Sequence, residues 1–207
     1  SHQNTLDVAR IKRRYPGKPF IHRVDGPMGL YNRRDDQRDN VVNTANRLIA
    51  DGTIFQSSWS REENLRLGLI PTHFETIIYN ASDPRIFNAH GRGNFNPEKK
   101  IHLIAVSWSS NKKKGFDVYQ WLDENLDFDR YEMTFLGNSP VKFKNIKSIP
   151  PLDSQGVAEK LKESDIYITG SQNDPCSNSL IEALHCGLPA IALNDGGHPE
   201  LLGASGE

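Results

Sequence analysis

Two carboxylates stand eight positions apart in one stretch of the chain, Asp174 and Glu182, with the small polar run Ser177-Asn178-Ser179 between them. That run reads as the start of a helix. The first N–H groups of a helix have no partner inside it, so they favour an anion. A phosphate held there leaves a ribose near the next turn, where Glu182 falls, and a carboxylate accepts hydrogen bonds from two vicinal hydroxyls. Asp174 lies in the loop before the helix, where it would reach sugar hydroxyls on the other side of a diphosphate. Upstream, Lys112-Lys113-Lys114-Gly115 leads into a second helix and adds positive charge. Helix amides, lysines and glycines in this arrangement suit a diphosphate.

The elements that would hold these residues alternate. Ile101–Val106 reads as a strand, Phe116–Leu126 as a helix and Glu132–Leu136 as a strand, with a short strand around Ile146. Asp153 or Ser154 caps a helix to about Glu163; then come a strand at Asp165–Thr169, a helix at Ser179–Cys186 and a strand at Pro189–Leu193. Such alternation predicts a parallel sheet with helices on both faces. The strands at 101–106, 165–169 and 189–193 are nearly all apolar, as strands buried on both faces should be. In such sheets ligands bind past the carboxyl ends of the strands. Four donor-rich loops follow those ends, at Ser107–Gly115, Gly137–Pro140, Gly170–Ser179 and Asn194–Glu200.

The first part of the chain is patterned similarly. Residues 10–18 are basic and turn-rich and read as a solvated loop or a frayed helix end. Pro19–Val24 is a short strand closed by Asp25-Gly26-Pro27. Asp35–Asp51 reads as a helix with Val41, Val42, Ala45, Leu48 and Ile49 on one stripe and Gly52 as its stop. Strands follow at Thr53–Gln56 and Glu75–Tyr79, around a helix to about Leu67 that Ser60 and Glu63 would open as a capping box. His90–Lys100, rich in Gly, Asn and charge, reads as a linker. A domain boundary is therefore expected near residue 95, dividing the chain into 1–95 and 96–207, and the abrupt stop after Leu201-Leu202-Gly203 suggests that the second part is truncated at its end.

The segment Asp174–Ala192, followed by Gly196-Gly197-x-Pro199-Glu200, closely resembles the signature of retaining GT-B glycosyltransferases of family four, the group 1 type. Lys114-Gly115, Gly137-Asn138-Ser139-Pro140, Ile78–Phe87 and Phe20–Gly26 resemble further phrases of that family. The resemblance implies an α/β fold of GT-B type: a Rossmann-like parallel-sheet donor domain preceded by part of a second Rossmann-like domain. It implies transfer of a hexose from a nucleoside diphosphate sugar to an acceptor hydroxyl with retention of configuration. No metal and no cofactor are implied beyond that co-substrate. Residue by residue, Glu182 would bind the ribose, while Asn178, Ser179 and Leu180 would offer amides to the phosphates. Lys114 beside Gly115 would neutralise the leaving diphosphate, and Gly137, Gly196 and Gly197 would line the donor. Asp174 would contact the transferred sugar. Asp25 is the candidate to approach the reacting sugar, with His22 its alternative or simply a satisfied core histidine; His198 could touch sugar or phosphate.

The sequence departs from the pattern at three points. Asp174 stands where Glu is usual, Ser107-Trp108 replaces Gly-Arg, and the chain is about half the usual length. Lys112 or Lys113 could replace the missing arginine. Two other readings follow: a nucleotide-sugar epimerase of GT-B fold, or a non-catalytic nucleotide-sugar-binding domain.

Composition sets the outer bounds. With 25 Lys and Arg against 26 Asp and Glu, net charge −1, no global field draws nucleic acid. No apolar run approaches the roughly 18 residues of a membrane span. Two cysteines, Cys176 and Cys186, and an N-terminal Ser1–Asn4 without an apolar core segment suggest a reduced, cytoplasmic setting. The acceptor is expected to be a carbohydrate or a lipid-linked one, the latter with peripheral contact at the cytoplasmic face of a membrane. The seven histidines show no metal-ligand spacing.

Overall fold

The computed structural model describes residues 5–32 and 36–203. Ser1–Asn4 and Asp35, the expected start of the second-strand helix, lie outside the described residues. The chain divides into two compact units, residues 1–79 with 173–176 and residues 80–172 with 177–207. The expected boundary near residue 95 thus falls inside the second unit. Phe87 is buried in that unit's core, among Val157, Leu161 and Tyr167, and Arg92 donates to the carbonyls of Ser164 and Asp165.

In the first unit, α1 (Thr5–Arg14) precedes β1 (Ile21–Val24), α2 (Met28–Tyr31), α3 (Arg38–Ile49), β2 (Gly52–Phe55), α4 (Ser58–Arg66) and β3 (Phe74–Ile77). The strands form one parallel sheet in the order β1-β2-β3. The basic residues 10–14, expected to be loop or frayed end, belong to a regular helix. Gly52 begins a strand instead of ending a helix. The stripe expected on α3 is only partly inward: Leu48 is 68% exposed, while Asn46 is fully buried. Burial of that amide is tolerated because every polar atom is used. Its Oδ1 accepts from His22 Nδ1 at 3.0 Å and Thr53 Oγ1 at 3.1 Å, and its Nδ2 donates to the Ile70 carbonyl at 2.9 Å. The cap of α4 also moves: extended Ser57 accepts from the Ser60 N–H at 3.0 Å, so Ser60 is inside the helix and no capping box opens there.

The second unit carries β4 (Ile101–Ser107), α5 (Phe116–Asn125), β5 (Tyr131–Gly137), β6 (Lys147–Ile149), α6 (Ser154–Lys162), β7 (Ile166–Thr169), α7 (Asn178–His185), β8 (Ala190–Ala192) and α8 (His198–Leu202). All five strands are parallel, in the order β6-β5-β4-β7-β8. The chain moves outward from β4 through β5 and β6, then returns to place β7 on the other side of β4. The topological switch point therefore lies between β4 and β7. Alternate residues of β4 feed two cores. Ile104 and Val106 pack with Leu136, Leu161 and Leu180, and Leu103 and Ala105 with Phe116, Tyr119 and Phe135. This is why the strand is apolar at nearly every position. Asp153, not Ser154, caps α6 by accepting from the Gly156 N–H at 2.8 Å. The short α8 was not expected.

At the carboxyl ends the backbones come so close that side chains are excluded. Gly137 has φ +129, and a Cβ there would lie 1.9 Å from the Ser107 carbonyl oxygen. Gly91 also has positive φ, +77, but nothing stands within 4 Å of its would-be Cβ. Ala at position 91 should cost about 1–2 kcal/mol, from the backbone alone. Gly137→Ala should cost about 3 kcal/mol or more and lower the melting temperature by about 6 °C or more. Calorimetric melting of the two variants checks this; equal shifts would contradict the close approach.

Candidate functional site

The carboxyl edge of the five-stranded sheet collects most of the expected donor residues. After β4, Ser107 and Trp108 lead to Asn111, whose side chain accepts from the Lys113 N–H at 2.9 Å and caps a single 3-10 turn, Lys112–Lys114. Gly115 ends the turn in the left-handed region, φ +80, and opens α5. Its would-be Cβ lies 2.5 Å from the Gly170 carbonyl carbon, so the lysine turn rests directly on the backbone leaving β7. The three lysines are not equivalent. The Gln172 N–H donates to the Lys113 carbonyl at 2.7 Å, and Lys113 Nζ returns to Gln172 Oε1 at 3.2 Å. That clasp ties Lys113 down. Lys112 is exposed, and Lys114 is half-buried at the end of the turn.

Asn138, after β5, locks the neighbouring loop. Its N–H donates to the Ser107 carbonyl at 2.9 Å and its side chain to the Trp108 carbonyl at 2.8 Å. Trp108 is left 57% exposed at the end of the switch-point strand.

Helix α7 begins at Ser177, whose side chain makes no cap bond. The first helical hydrogen bond of the turn runs from the Ile181 N–H to the Ser177 carbonyl at 3.1 Å. The amides of Asn178, Ser179 and Leu180 therefore form the positive end of the helix, as a phosphate would require. The side chains around them are positioned from within the same unit. Asn178 Oδ1 accepts from Asn80 Nδ2 at 2.7 Å, and the Tyr167 hydroxyl meets Ser179 Oγ at 2.8 Å. Leu180 is wholly buried, so only its amide could serve a ligand. Glu182 lies one turn further in, half-buried, and burial pushes its carboxyl up to about 7.

In the loop after β8, Gly196 and Gly197 are buried and lead into α8. His198 closes this loop on itself, its Nδ1–H donating to the Leu193 carbonyl at 3.1 Å. Its Nε2 is buried without a partner among the described residues.

The remaining three candidates lie with the first unit. Asp25 follows β1; its carboxylate accepts from Gln56 Nε2, and its carbonyl accepts from Asn64 Nδ2 at 2.8 Å. His22 is engaged with Asn46, and burial pulls its imidazole below the ordinary value. Asp174 belongs to the segment 173–176 that groups with the first unit; it is buried and accepts from the Cys176 N–H at 3.3 Å. Cys176 and Cys186 are both buried free thiols. No helix of the described residues is long and apolar enough to cross a membrane, and no group of three or more His, Cys, Asp or Glu among them could hold a metal.

Sequence reasoning missed Tyr119, Asn138, Gln172 and the cap Asn111. Only Asn111, an N-cap residue type directly before the lysine run, carried a local signal.

The strand order is that of a Rossmann-like parallel sheet, and the fold matches that of GT-B glycosyltransferases. The crystal structure of HepE from Anabaena in complex with UDP and glucose superposes with a TM-score of 0.75 at 16% identity, covering 98% of this chain and 60% of that one. Sucrose-phosphate synthase from Thermosynechococcus elongatus superposes at 0.68 and 16% identity, covering 93% and 55%. A mutant of S. aureus TarM in complex with Fondaparinux, alpha-GlcNAc-glycerol and UDP does so at 0.68 and 16%, covering 89% and 38%. The chain thus spans 60% or less of the length of these three structures. Residues 92–206, more than half of the chain, match the family described as Glycosyl transferases group 1, and the chain belongs to it. No curated protein matches the sequence.

The raised Glu182 carboxyl has a consequence for stability. Its folded value, about 7, lies above the ordinary 4.5. Between those two values the folded chain holds the extra proton, so stability falls as pH rises through that window. Glu182→Gln mimics the protonated form. It should match the wild type at pH 4, grow progressively more stable than it up to pH 7, and hold that advantage above. Urea unfolding across pH checks this; an advantage already full at pH 4 would contradict it.

Proposed function

We propose that the protein transfers a hexose from a nucleoside diphosphate sugar to an acceptor hydroxyl with retention of anomeric configuration. The observation that carries the reading is the α7 start: three helix amides with Glu182 one turn behind them, beside a lysine turn seated on the same sheet edge. The diphosphate lies against the amides of Asn178, Ser179 and Leu180, and the Glu182 carboxylate accepts from the ribose hydroxyls. Gly115, Gly137, Gly196 and Gly197 line the donor. The reading gives Asp174 the hydroxyls of the transferred sugar and Asp25 the approach to the reacting sugar.

In the reaction the C1–O bond to the diphosphate breaks, a bond from C1 to the acceptor oxygen forms, and the acceptor's hydroxyl proton passes to the leaving diphosphate. Charge grows on the leaving diphosphate as the sugar becomes oxocarbenium-like. Lys114 and the α7 amides are fixed in place before that charge develops, so they stabilise it without reorganising. With these positive groups built into the edge, the reading needs no divalent ion and no cofactor. The acceptor is a carbohydrate or a lipid-linked one, and the setting is cytoplasmic, with peripheral membrane contact where the acceptor is lipid-linked. Family membership and solved relatives whose complexes contain UDP support the donor class.

Thermal shift against UDP, GDP and ADP and their sugars tests the site. One nucleotide should raise the melting temperature, and Glu182→Ala should abolish the rise. Affinity should also fall as pH drops below about 7, because the carboxyl must be ionised to accept from both hydroxyls. Unchanged affinity in Glu182→Ala would sink the assignment. The anomeric configuration of the product, read by NMR, tests retention; inversion would contradict it.

A further inference from the structure

The Tyr119 hydroxyl is the buried polar group at the switch point that the donor site does not yet use. Tyr119 is 1% exposed, and its ring packs with Phe116 and Phe135, centroids 6.0 and 5.5 Å away. An aromatic ring in that core needs no hydroxyl, and a buried one costs free energy unless it is bonded. Here it is bonded at one particular place. It accepts from the Gly170 N–H at 3.3 Å and pairs with the Thr169 side chain. Both partners lie where the chain leaves β7.

Gly170 is also the residue on which the lysine turn rests. A Cβ on Gly115 would fall 2.5–2.6 Å from three backbone atoms of Gly170, and a Cβ on Gly170 would meet Gly115 Cα at 3.3 Å. The Gly115 carbonyl in turn accepts from the Tyr119 N–H at 3.1 Å as the first turn of α5. A short closed path therefore joins Lys114-Gly115, the α5 start, the Tyr119 hydroxyl and Gly170. The Gln172–Lys113 clasp holds the turn to the same segment, and on this path the hydroxyl is the side-chain group that bonds the Gly170 amide itself and sets where it stands.

We propose that Tyr119 is a positioning residue for the diphosphate end of the nucleotide-sugar site, its hydroxyl fixing the Gly170 backbone against Gly115 and so placing the Lys114 ammonium. The proposal rests on the donor-site reading above. Tyr119 touches no ligand; it acts through Lys114. That distinguishes it from a residue that merely stabilises the core, whose loss would weaken binding whether or not Lys114 is present.

The test is a double-mutant cycle on nucleoside diphosphate affinity, measured by calorimetry for the wild type, Tyr119→Phe, Lys114→Met and the pair, using whichever of UDP, GDP or ADP the wild type binds. Removing one hydroxyl should weaken binding about three- to tenfold, with far-UV dichroism unchanged. Lys114→Met should weaken it about tenfold or more. The pair should be no weaker than Lys114→Met alone to within about twofold, because the hydroxyl acts through the lysine. Should Tyr119→Phe fail to fold, Thr169→Val, which removes the hydroxyl's other partner, takes its place in the same cycle. Full affinity in Tyr119→Phe, or losses that multiply in the pair, overturns the proposal while leaving the donor site standing. Absence of binding by the wild type to all three nucleotides overturns the donor-site reading and this proposal with it.

Discussion

Everything at the carboxyl edge depends on how closely three backbones approach one another there. Ser107 meets Gly137 on one side of β4, and Gly115 meets Gly170 on the other. Neither approach leaves room for a Cβ, so both are written as glycine, and both glycines take positive φ. Because the backbones touch, the loops cannot drift apart. The lysine turn, the Asn138 lock and the start of α7 occupy fixed places relative to the strands. A site for a highly charged ligand needs that fixity, since preorganised charge is worth far more than charge that must move into position.

The same edge carries groups that do not favour the folded chain. Burial raises the Glu182 carboxyl to about 7, so its ionised form is less comfortable in the fold than in water. His198 Nε2 is buried without a partner among the described residues. Arg92 Nε, away from this edge, also lacks a partner among the described residues, but many buried polar groups elsewhere are fully supplied. Asp123 is the clearest case. Burial alone would raise its carboxyl, yet the N–H groups of Lys144, Ile146 and Asn145 donate to it at 2.8, 2.7 and 2.8 Å and hold it low. That carboxylate secures the β5–β6 connection; Glu182 has no such cradle. The two carboxylates thus differ in their surroundings, one cradled by three backbone N–H groups and the other raised by burial.

How much of this was legible in the sequence depended on how far apart the interacting residues are. Most strands of the second unit could be read because apolar runs such as Leu103–Val106 feed two cores at once, a purely local pattern; β6, Lys147–Ile149, carries little of it. The candidate donor residues could be assigned to the carboxyl edge because the loops after those strands carry amides, glycines and lysines in order. Asn46 could not. It sits where an apolar stripe was expected, and its partners His22, Thr53 and Ile70 come together only in the folded unit. Choosing Ser57 over Ser60 as the α4 cap likewise turns on backbone angles that two similar serines do not reveal. Tyr119 was indistinguishable from any core aromatic until Gly170 was found beside its oxygen. The domain boundary moved for the same reason, since Phe87 belongs to a core assembled from residues some 70 positions onward.

The most direct test of the central claim, that this edge is a nucleotide-sugar site, is a crystal structure of the protein with the nucleoside diphosphate it binds. The account predicts the diphosphate against the amides of Asn178, Ser179 and Leu180, the ribose hydroxyls on Glu182, and the Lys114 ammonium on the phosphates. A nucleotide found elsewhere, or at this edge with Glu182 turned away from the ribose, would contradict it.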